Sequence, residues 1–151
     1  MSSTVAESLQ SIIQRGTIRV GYHTVDFESA VRGLIVSPLL EHGVSPARVD
    51  EIVDSVLERE KAGTTCAGPI ALPHARISGI PKIVAGLGLN RDGIYPGGSA
   101  RLILAFVSPQ DAAAEHLRFL SSAAKTFRTS ALLDQLLVAT TNGDVIAALT
   151  T

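Results

Sequence analysis

The sequence predicts an α+β fold with three layers, in which a central β-sheet lies between helices on both of its faces. The segment at 101–108, RLILAFVS, is apolar at both alternating sets of positions, which is typical of a central strand covered on both sides. Segments with apolar residues at helical spacing precede and follow a group of three strand candidates. A mostly apolar sheet with helices on both faces forms a three-layer α/β/α sandwich.

The chain begins with a predicted short helix followed by a strand. The helix spans about Val5–Gln14 and is ended by Gly16, and the sequence TIRVG then indicates a strand at Thr17–Gly21. Thr24 is expected to cap the next helix, because a threonine hydroxyl can accept a hydrogen bond from a backbone N–H of the first turn.

The second helix is predicted from apolar residues that share one helical face. These residues are Phe27, Ala30, Val31, Leu34 and Ile35. Pro38 interrupts the pattern, since proline lacks a backbone donor and crowds the preceding turn. We therefore expect a kink or a break near Ser37.

The third helix has the clearest pattern in the chain. Ser45 followed by Pro46 is a helix-start signal, and Gly63 is placed to end the helix soon after Glu60. Its apolar residues recur at helical spacing as Val49, Ile52, Val53, Val56 and Leu57. Arg59 then lies in the last turn, on the side away from the apolar stripe.

The second half of the chain is predicted to hold three strands and then three helices. The strand candidates are Pro69–Pro73, Lys82–Leu89 and Arg101–Ser108. Pro109 and the acidic residues behind it open a helix that carries His116 near its start. Two shorter helices, at about Ser130–Val138 and Asp144–Leu149, complete the order.

The composition predicts a globular protein of one domain, residues 1–151. Hydrophobic residues make up 46% and charged residues 18%, which is outside the range of disordered chains. The formal net charge is -1 and no block of like charges occurs, so nucleic acid and anionic membranes are poor partners. The first residues do not resemble a signal peptide, and the longest apolar stretch, Leu102–Val107, is too short to span a bilayer. We therefore expect a cytoplasmic protein without membrane insertion.

Cysteine usage limits how the fold can be held together. Cys66 is the single cysteine, which excludes an internal disulfide and, without paired histidines at ligand spacing, argues against a structural zinc site. Cys66 itself is interpreted as a small, half-buried and inert residue rather than as a reactive thiol.

His74 is the first candidate for chemistry, because its neighbours restrict its backbone. Pro73 has a locked φ and drives Leu72 into an extended conformation, while Ala75 adds little bulk. The imidazole is therefore predicted to be a rigidly held, projecting group. With an ordinary pKa of about 6.5, it offers a neutral ring nitrogen that can accept a phosphoryl group.

The residues by themselves leave a simpler interpretation open. A histidine at a strand end is more often a surface or half-buried side chain with a hydrogen-bond partner than a catalytic group. A phosphoryl site would also need fixed cations or donors. Arg76 lies on the same side of an extended chain as His74, and Arg59 and His116 are more distant candidates, but both arginines are equally well explained as solvated residues at element ends.

Residues 57–89 resemble the signature of a family of bacterial proteins. The family is the enzyme IIA components of the phosphoenolpyruvate-dependent phosphotransferase system (PTS), of the fructose, mannitol and nitrogen-regulatory type. The segment reads LEREKAGTTCAGPIALPHARISGIPKIVAGLGL. The matching elements are RE at 59–60, GTT at 63–65 and IALPHA at 70–75. A second family element, a histidine and leucines near the start of the helix after the central strand, is similar to EHL at 115–117 with Leu120. The resemblance covers about residues 8–149 and implies that the central sheet is mixed.

The resemblance implies a definite mechanism. His74 would accept a phosphoryl group from the phosphohistidine of an HPr-like phosphocarrier and pass it to a cysteine or histidine of an enzyme IIB partner. Arg59 would neutralise the phosphoryl oxygens, and His116 would stabilise the phosphorylated imidazole. Arg76 and Thr65 are further residues that could contact the phosphate. The resemblance implies no cofactor and no metal, and it leaves oligomer formation and sugar specificity open.

Three other interpretations stay open at this point. One is a regulatory protein of the same family, in which the phosphorylation state of His74 controls binding to a transporter or regulator. Another is a related binding domain that is never phosphorylated, and a remote one is a metal site at His74 and His116.

The loop before His74 is one residue shorter than is usual in the family, with Pro69 where glycine is expected, so we expect it to follow a different path.

Overall fold

The computed structural model describes residues 7–150. In chain order the elements are α1 (Leu9–Gln14), β1 (Thr17–Val20), α2 (Phe27–Glu41), α3 (Pro46–Ala62), β2 (Ile70–Ala71), β3 (His74–Ile77), β4 (Val84–Leu89), β5 (Leu102–Pro109), α4 (Ala113–Phe127), α5 (Ser130–Leu137) and α6 (Asn142–Thr150). The predicted first helix was to begin at Val5, which lies outside the described residues. Within them, α1 begins at Leu9 because the Ser8 side chain caps it by accepting a hydrogen bond from the Ser11 N–H.

One mixed sheet contains all of these strands. Its order is β1-β4-β5-β2, with β3 also paired to β5. The β4–β5 pair is antiparallel, and the pairs of β1 with β4 and of β2 and β3 with β5 are parallel. Every residue of β5 is buried, so the prediction of a central strand at this position is confirmed.

The edge of the sheet next to β5 is one strand with an interruption. Ile70 pairs with Leu102 and His74 with Phe106, so β2 and β3 follow β5 in a single register on both sides of Leu72 and Pro73. The predicted strand at Pro69–Pro73 is therefore too short. The sheet continues past the proline, because Phe106 N–H still donates to the Pro73 carbonyl oxygen at 3.0 Å.

Helices cover both faces of the sheet, as the sequence predicts. Side chains of α2 and α3 form one apolar cluster with one face of β3, β4 and β5. Side chains of α1, α4, α5 and α6 form a second cluster with the opposite face. The protein is thus a three-layer α/β/α sandwich around a mixed sheet, and the predicted fold class is confirmed.

The structure corrects the predicted N-cap of α2 and excludes a break in this helix. Asp26 rather than Thr24 is its N-cap, since the Asp26 side chain accepts from the Ser29 N–H at 2.8 Å while the Thr24 hydroxyl donates to the Asp26 carbonyl. The predicted alternatives near Ser37 were a kink or a break, and the break is excluded because the helix continues through a buried Pro38 to Glu41, while the kink stays a prediction. The apolar burial of the helix on both sides of Pro38 favours a continuous helix over a break.

Close packing of α2 on the sheet depends on a glycine in β4. Pro38 leaves the Leu34 carbonyl without its usual helical donor. That carbonyl lies so close to Gly86 that a Cβ atom built there would overlap the Leu34 oxygen and carbon. The absence of a side chain at Gly86 thus lets α2 approach the sheet at its proline-containing segment.

Replacing Gly86 with alanine is expected to lower the free energy of unfolding by roughly 1–3 kcal/mol, because the added methyl group forces α2 away from the sheet. Urea denaturation of Gly86→Ala measures this loss. The matched control is Gly143→Ala in α6, where a Cβ would meet the Thr141 hydroxyl at an ordinary 3.6 Å and alanine favours the helix. Equal stabilities of the two variants would contradict this account of the packing.

Candidate functional site

The two predicted histidines meet on the face of the sheet that α4 covers. His74 begins β3, and its ring stacks on Phe106 of β5 with centroids 5.0 Å apart and planes at 18°. His116 of α4 places its ring 5.1 Å from the His74 ring and 5.5 Å from the Phe106 ring. Phe106 in turn meets Phe119 edge to face at 4.7 Å. The aromatic side chains therefore hold both imidazoles between sheet and helix.

His74 is more buried than the sequence suggests. Its predicted role as a projecting group is wrong, because the residue is only 6% exposed. The continued pairing of β3 with β5 is the reason, since it turns the His74 side chain towards the α4 layer instead of leaving it on a loop. His116 is similarly buried, with 7% exposure.

The hydrogen bond at His74 determines which ring nitrogen is nucleophilic. His74 Nδ1 lies 2.6 Å from the Leu72 carbonyl oxygen. A carbonyl can only accept, so Nδ1 carries the proton and the lone pair is on Nε2. Burial, reinforced by the charge of Arg59 and opposed by the bond to Leu72 and the charge of Glu60, lowers the pKa of His74. The ring is therefore neutral at physiological pH, with Nε2 able to form a bond.

His116 is also neutral near pH 7. Burial, together with the charges of His74, Arg76 and Arg59, lowers its pKa to about 4. Its Nδ1 lies 2.8 Å from the hydroxyl oxygen of Ser108, a fully buried residue of β5. Ser108 was not among the residues predicted for the site, although a serine at the end of an otherwise apolar strand is a signal that could have indicated it.

The arginines that the sequence singled out lie close enough to act electrostatically on the two rings. Arg59 is exposed in the last turn of α3, where its Nη1 donates to the Gly63 carbonyl at 2.9 Å. Its charge lowers the pKa of both His74 and His116. Arg76 is exposed on β3, two residues from His74, and acts on His116. An anion bound at the histidines would thus be attracted by two guanidinium groups, while the charge of Glu60 opposes Arg59 at His74.

The loop between α3 and β2 is anchored on Glu60, to which the sequence analysis assigned no role. The Glu60 carboxylate accepts from the Thr64 hydroxyl at 2.6 Å, the Thr65 N–H at 2.9 Å and the Thr65 hydroxyl at 2.7 Å. The Thr65 oxygen accepts in turn from the Leu72 N–H at 3.1 Å. Thr65, predicted as a possible phosphate contact, therefore already uses its hydroxyl to join Glu60 to the residue that holds His74.

The short stretch before β2 forms a tight turn. Gly68 adopts a positive φ of 60°, directly before Pro69, and Ala67 and Ile70 exchange backbone hydrogen bonds across the turn. Cys66 is exposed, which corrects the prediction that it is half-buried. The loop reaches outward here, and the Cys66 thiol lies 3.9 Å from a Glu60 oxygen.

Two negative findings concern the described part of the chain. Among residues 7–150, no three His, Cys, Asp or Glu side chains are grouped as ligands of a metal ion would be. In the same residues, none of the helices combines the length and the apolar character that crossing a bilayer requires.

Stability is expected to fall when the pH is lowered from about 6.5 to about 4. The pKa of His116 is about 4 in the folded chain and about 6.5 when unfolded, so the unfolded chain takes up the proton first. The contribution of the neutral His116 ring to the free energy of unfolding is fully present above pH 6.5 and is lost as the pH falls towards 4. After allowance for screening by solvent we expect a loss of roughly 1–2 kcal/mol, to which His74 adds with the same sign.

Urea unfolding at intervals between pH 7 and 4, together with an NMR titration of the His116 ring, measures this effect. His116→Asn should flatten the pH dependence, while His23→Gln, a change at an exposed histidine, should not. A His116 ring that titrates near 6.5 would contradict the prediction.

Removing the Glu60 carboxylate is expected to loosen the loop before His74. Glu60→Ala leaves the Thr65 N–H and both threonine hydroxyls without their acceptor, which should cost roughly 1–3 kcal/mol and speed amide exchange at Thr65 and Leu72. Glu58→Ala is the matched control, since Glu58 forms an exposed contact of 3.8 Å with Lys61. Amide exchange that is equally slow in both variants would refute the anchoring role.

Comparison with known proteins agrees with this geometry. The family described as "Phosphoenolpyruvate-dependent sugar phosphotransferase system, EIIA 2" matches residues 11–151. No curated protein matches the chain. Among solved structures, the nitrogen regulatory protein IIA-Ntr of Neisseria meningitidis is similar with a TM-score of 0.79 and 24% identity, over 93% of this chain and 98% of that one.

Two structures of enzyme IIA mannitol are also similar in fold to this chain. IIA mannitol of Escherichia coli has a TM-score of 0.66 and 23% identity, over 88% of this chain and 95% of that one. The IIA mannitol chain in a complex with phosphorylated enzyme IIB mannitol, also from Escherichia coli, has a TM-score of 0.66 and 20% identity, over 89% and 94% of the two chains. With the family match extending from residue 11 to the last residue, the chain belongs to the EIIA 2 family of the phosphoenolpyruvate-dependent sugar phosphotransferase system.

Proposed function

We propose that this protein is a phosphoryl carrier whose acceptor atom is His74 Nε2. The observation that carries the proposal is the bond from His74 Nδ1 to the Leu72 carbonyl, which leaves the lone pair on Nε2 of a neutral ring. The phosphoryl group would come from the phosphohistidine of an HPr-like phosphocarrier and pass to an enzyme IIB partner. The protein is regenerated in each cycle, so it acts as a transferase component.

The transfer needs little covalent chemistry from the protein. As the nitrogen–phosphorus bond of the donor breaks, its electron pair returns to the donor imidazole, while Nε2 of His74 forms a new bond to phosphorus. Negative charge stays on the three phosphoryl oxygens throughout, so positioning and electrostatic stabilisation determine the rate. A nucleophile that needs no deprotonation is suited to this step.

Arg59 and His116 are proposed to stabilise the phosphorylated state. The charge of Arg59 acts on both rings, and its side chain is exposed, so it can reach towards an incoming phosphoryl group without leaving a buried position. Arg76 would contribute more weakly, from an exposed position two residues beyond His74 on β3. Thr65 would act through the loop rather than by direct contact, because its hydroxyl is engaged with Glu60 and Leu72.

The partners are part of the proposal. One of the similar structures is described as a complex of enzyme IIA mannitol with phosphorylated enzyme IIB mannitol. We propose by analogy that an enzyme IIB component docks over His74 and that an HPr-like protein uses the same face. A cytoplasmic location goes with these partners.

A second candidate function shares the same chemistry. The structural similarity to the nitrogen regulatory protein IIA-Ntr supports a regulatory variant, in which phosphorylation of His74 sets the affinity for a transporter or regulator. Both functions require His74 to be phosphorylated, and they differ in whether an enzyme IIB protein can remove the group. A related domain that is never phosphorylated is the third outcome of the same experiment.

The protein is expected to take up one acid-labile, alkali-stable phosphate when incubated with phosphoenolpyruvate, enzyme I and HPr, because a phosphohistidine has this stability. His74→Ala should remove the label completely. The control is His23→Gln, which changes an exposed histidine outside the site and should leave labelling unchanged. Absence of label in the wild-type protein would overturn the carrier function, and label that survives His74→Ala would move the site to another residue.

Adding an enzyme IIB protein to the labelled sample separates the two candidates. Loss of label to the IIB protein supports the carrier role. Retention of label in the presence of several IIB proteins, with phosphorylation-dependent binding of another target, supports the regulatory role.

A further inference from the structure

Ser108 and His116 form a hydrogen bond between two buried side chains. The Ser108 hydroxyl oxygen lies 2.8 Å from His116 Nδ1. Ser108 has no exposed surface and His116 has 7%. The serine stands in β5 opposite Arg76 of β3, and the histidine lies in the second turn of α4, so the bond connects the central strand to the helix above it.

The direction of this hydrogen bond follows from the surroundings of the serine. A hydroxyl has one hydrogen to donate, and among residues 7–150 His116 Nδ1 is the one partner that the Ser108 side chain has. If Nδ1 carried the ring proton, the Ser108 hydrogen would be buried without an acceptor, which is unfavourable. Nδ1 therefore accepts from the hydroxyl, and the ring proton is on Nε2.

We propose that Ser108 is a positioning residue that holds His116 with its proton on Nε2, so that this N–H donates to the phosphoryl group on His74. The inference rests on the proposed function, since it assigns the proton that the phosphorylated state needs. Ser108 touches neither the phosphoryl group nor the donor and acts through His116.

The two histidines then have opposite tautomers, and each tautomer suits its role. The Leu72 carbonyl holds the His74 proton on Nδ1 and leaves a lone pair on Nε2. Ser108 holds the His116 proton on Nε2, at a ring centred 5.1 Å from the His74 ring. With the other tautomer, His116 would present a lone pair to the negative phosphoryl oxygens. His116 keeps its proton throughout the transfer, so the step needs no other acid or base.

The tautomer can be measured before any phosphoryl transfer. In the unphosphorylated, ¹⁵N-labelled wild-type protein near pH 7, long-range ¹H–¹⁵N spectra distinguish ring nitrogens that carry a proton from those that do not. We expect an unprotonated Nδ1 and a protonated Nε2 at His116, and the reverse at His74. A proton on His116 Nδ1 would overturn the inference, whatever the protein does with phosphate.

The transfer rate tests the consequence for function. In single-turnover transfer from phosphorylated HPr, Ser108→Ala should be about five- to tenfold slower, because His116 loses the bond that orients it. Ser108→Thr keeps a hydroxyl and should restore most of the rate. Ser55→Ala is the matched control, since the Ser55 hydroxyl bonds to the Glu51 carbonyl within α3 and not to a histidine. Thermal unfolding of each variant shows whether it is folded.

The possible results are distinguishable. A folded Ser108→Ala protein with an unchanged rate, or a folded Ser108→Thr protein as slow as the alanine variant, overturns the positioning role. A wild-type protein that takes no label overturns the proposed function, and the role of Ser108 in transfer with it. A labelled wild-type protein with a proton on His116 Nδ1 overturns this inference and leaves the proposed function intact.

Discussion

The candidate site depends on the pairing of the edge strand with β5 on both sides of Pro73. Because Ile70 and His74 pair with Leu102 and Phe106 in one register, the chain resumes its place in the sheet immediately after the proline. This brings the His74 ring onto Phe106 and under α4, where His116 meets it. A shift of one residue in this register would turn His74 to the opposite face, away from His116 and α4.

Pro73 and Leu72 contribute to the site because they interrupt this strand. At the interruption, the Leu72 N–H bonds to the Thr65 hydroxyl and the Leu72 carbonyl accepts from His74 Nδ1. The peptide groups of Leu72 therefore join the loop anchored on Glu60 to the imidazole. Local disruption of the ladder thus supplies the acceptor that determines the His74 tautomer, and the loop holds that acceptor in place.

Burial has a chemical consequence at this site. It lowers the pKa of both histidines, so both rings are neutral at physiological pH, and a neutral ring can have a defined tautomer. The positive charge comes instead from exposed arginines at the rim, which avoids the cost of burying guanidinium groups. The site therefore separates the neutral rings in the interior from the positive charges at its surface.

The amino-acid sequence was sufficient to predict the three-layer fold, the central strand and the local order of helices and strands, because these depend on hydrophobic periodicity and on residues such as Ser45, Pro46 and Gly63 that start or end helices. It also singled out Arg59, His74 and His116 by their resemblance to family motifs. It left open whether α2 continues through Pro38, because the stability of a helix containing this proline depends on tertiary burial and on the absence of a side chain at Gly86. Only the tertiary structure decided the burial of His74, the anchoring role of Glu60 and the bond between Ser108 and His116. The burial of His74 depends on the register between β3 and β5. The bonds of Glu60 and of Ser108 join residues only 4 to 8 positions apart, but they depend on how the chain turns between a helix and a strand, which hydrophobic periodicity does not determine.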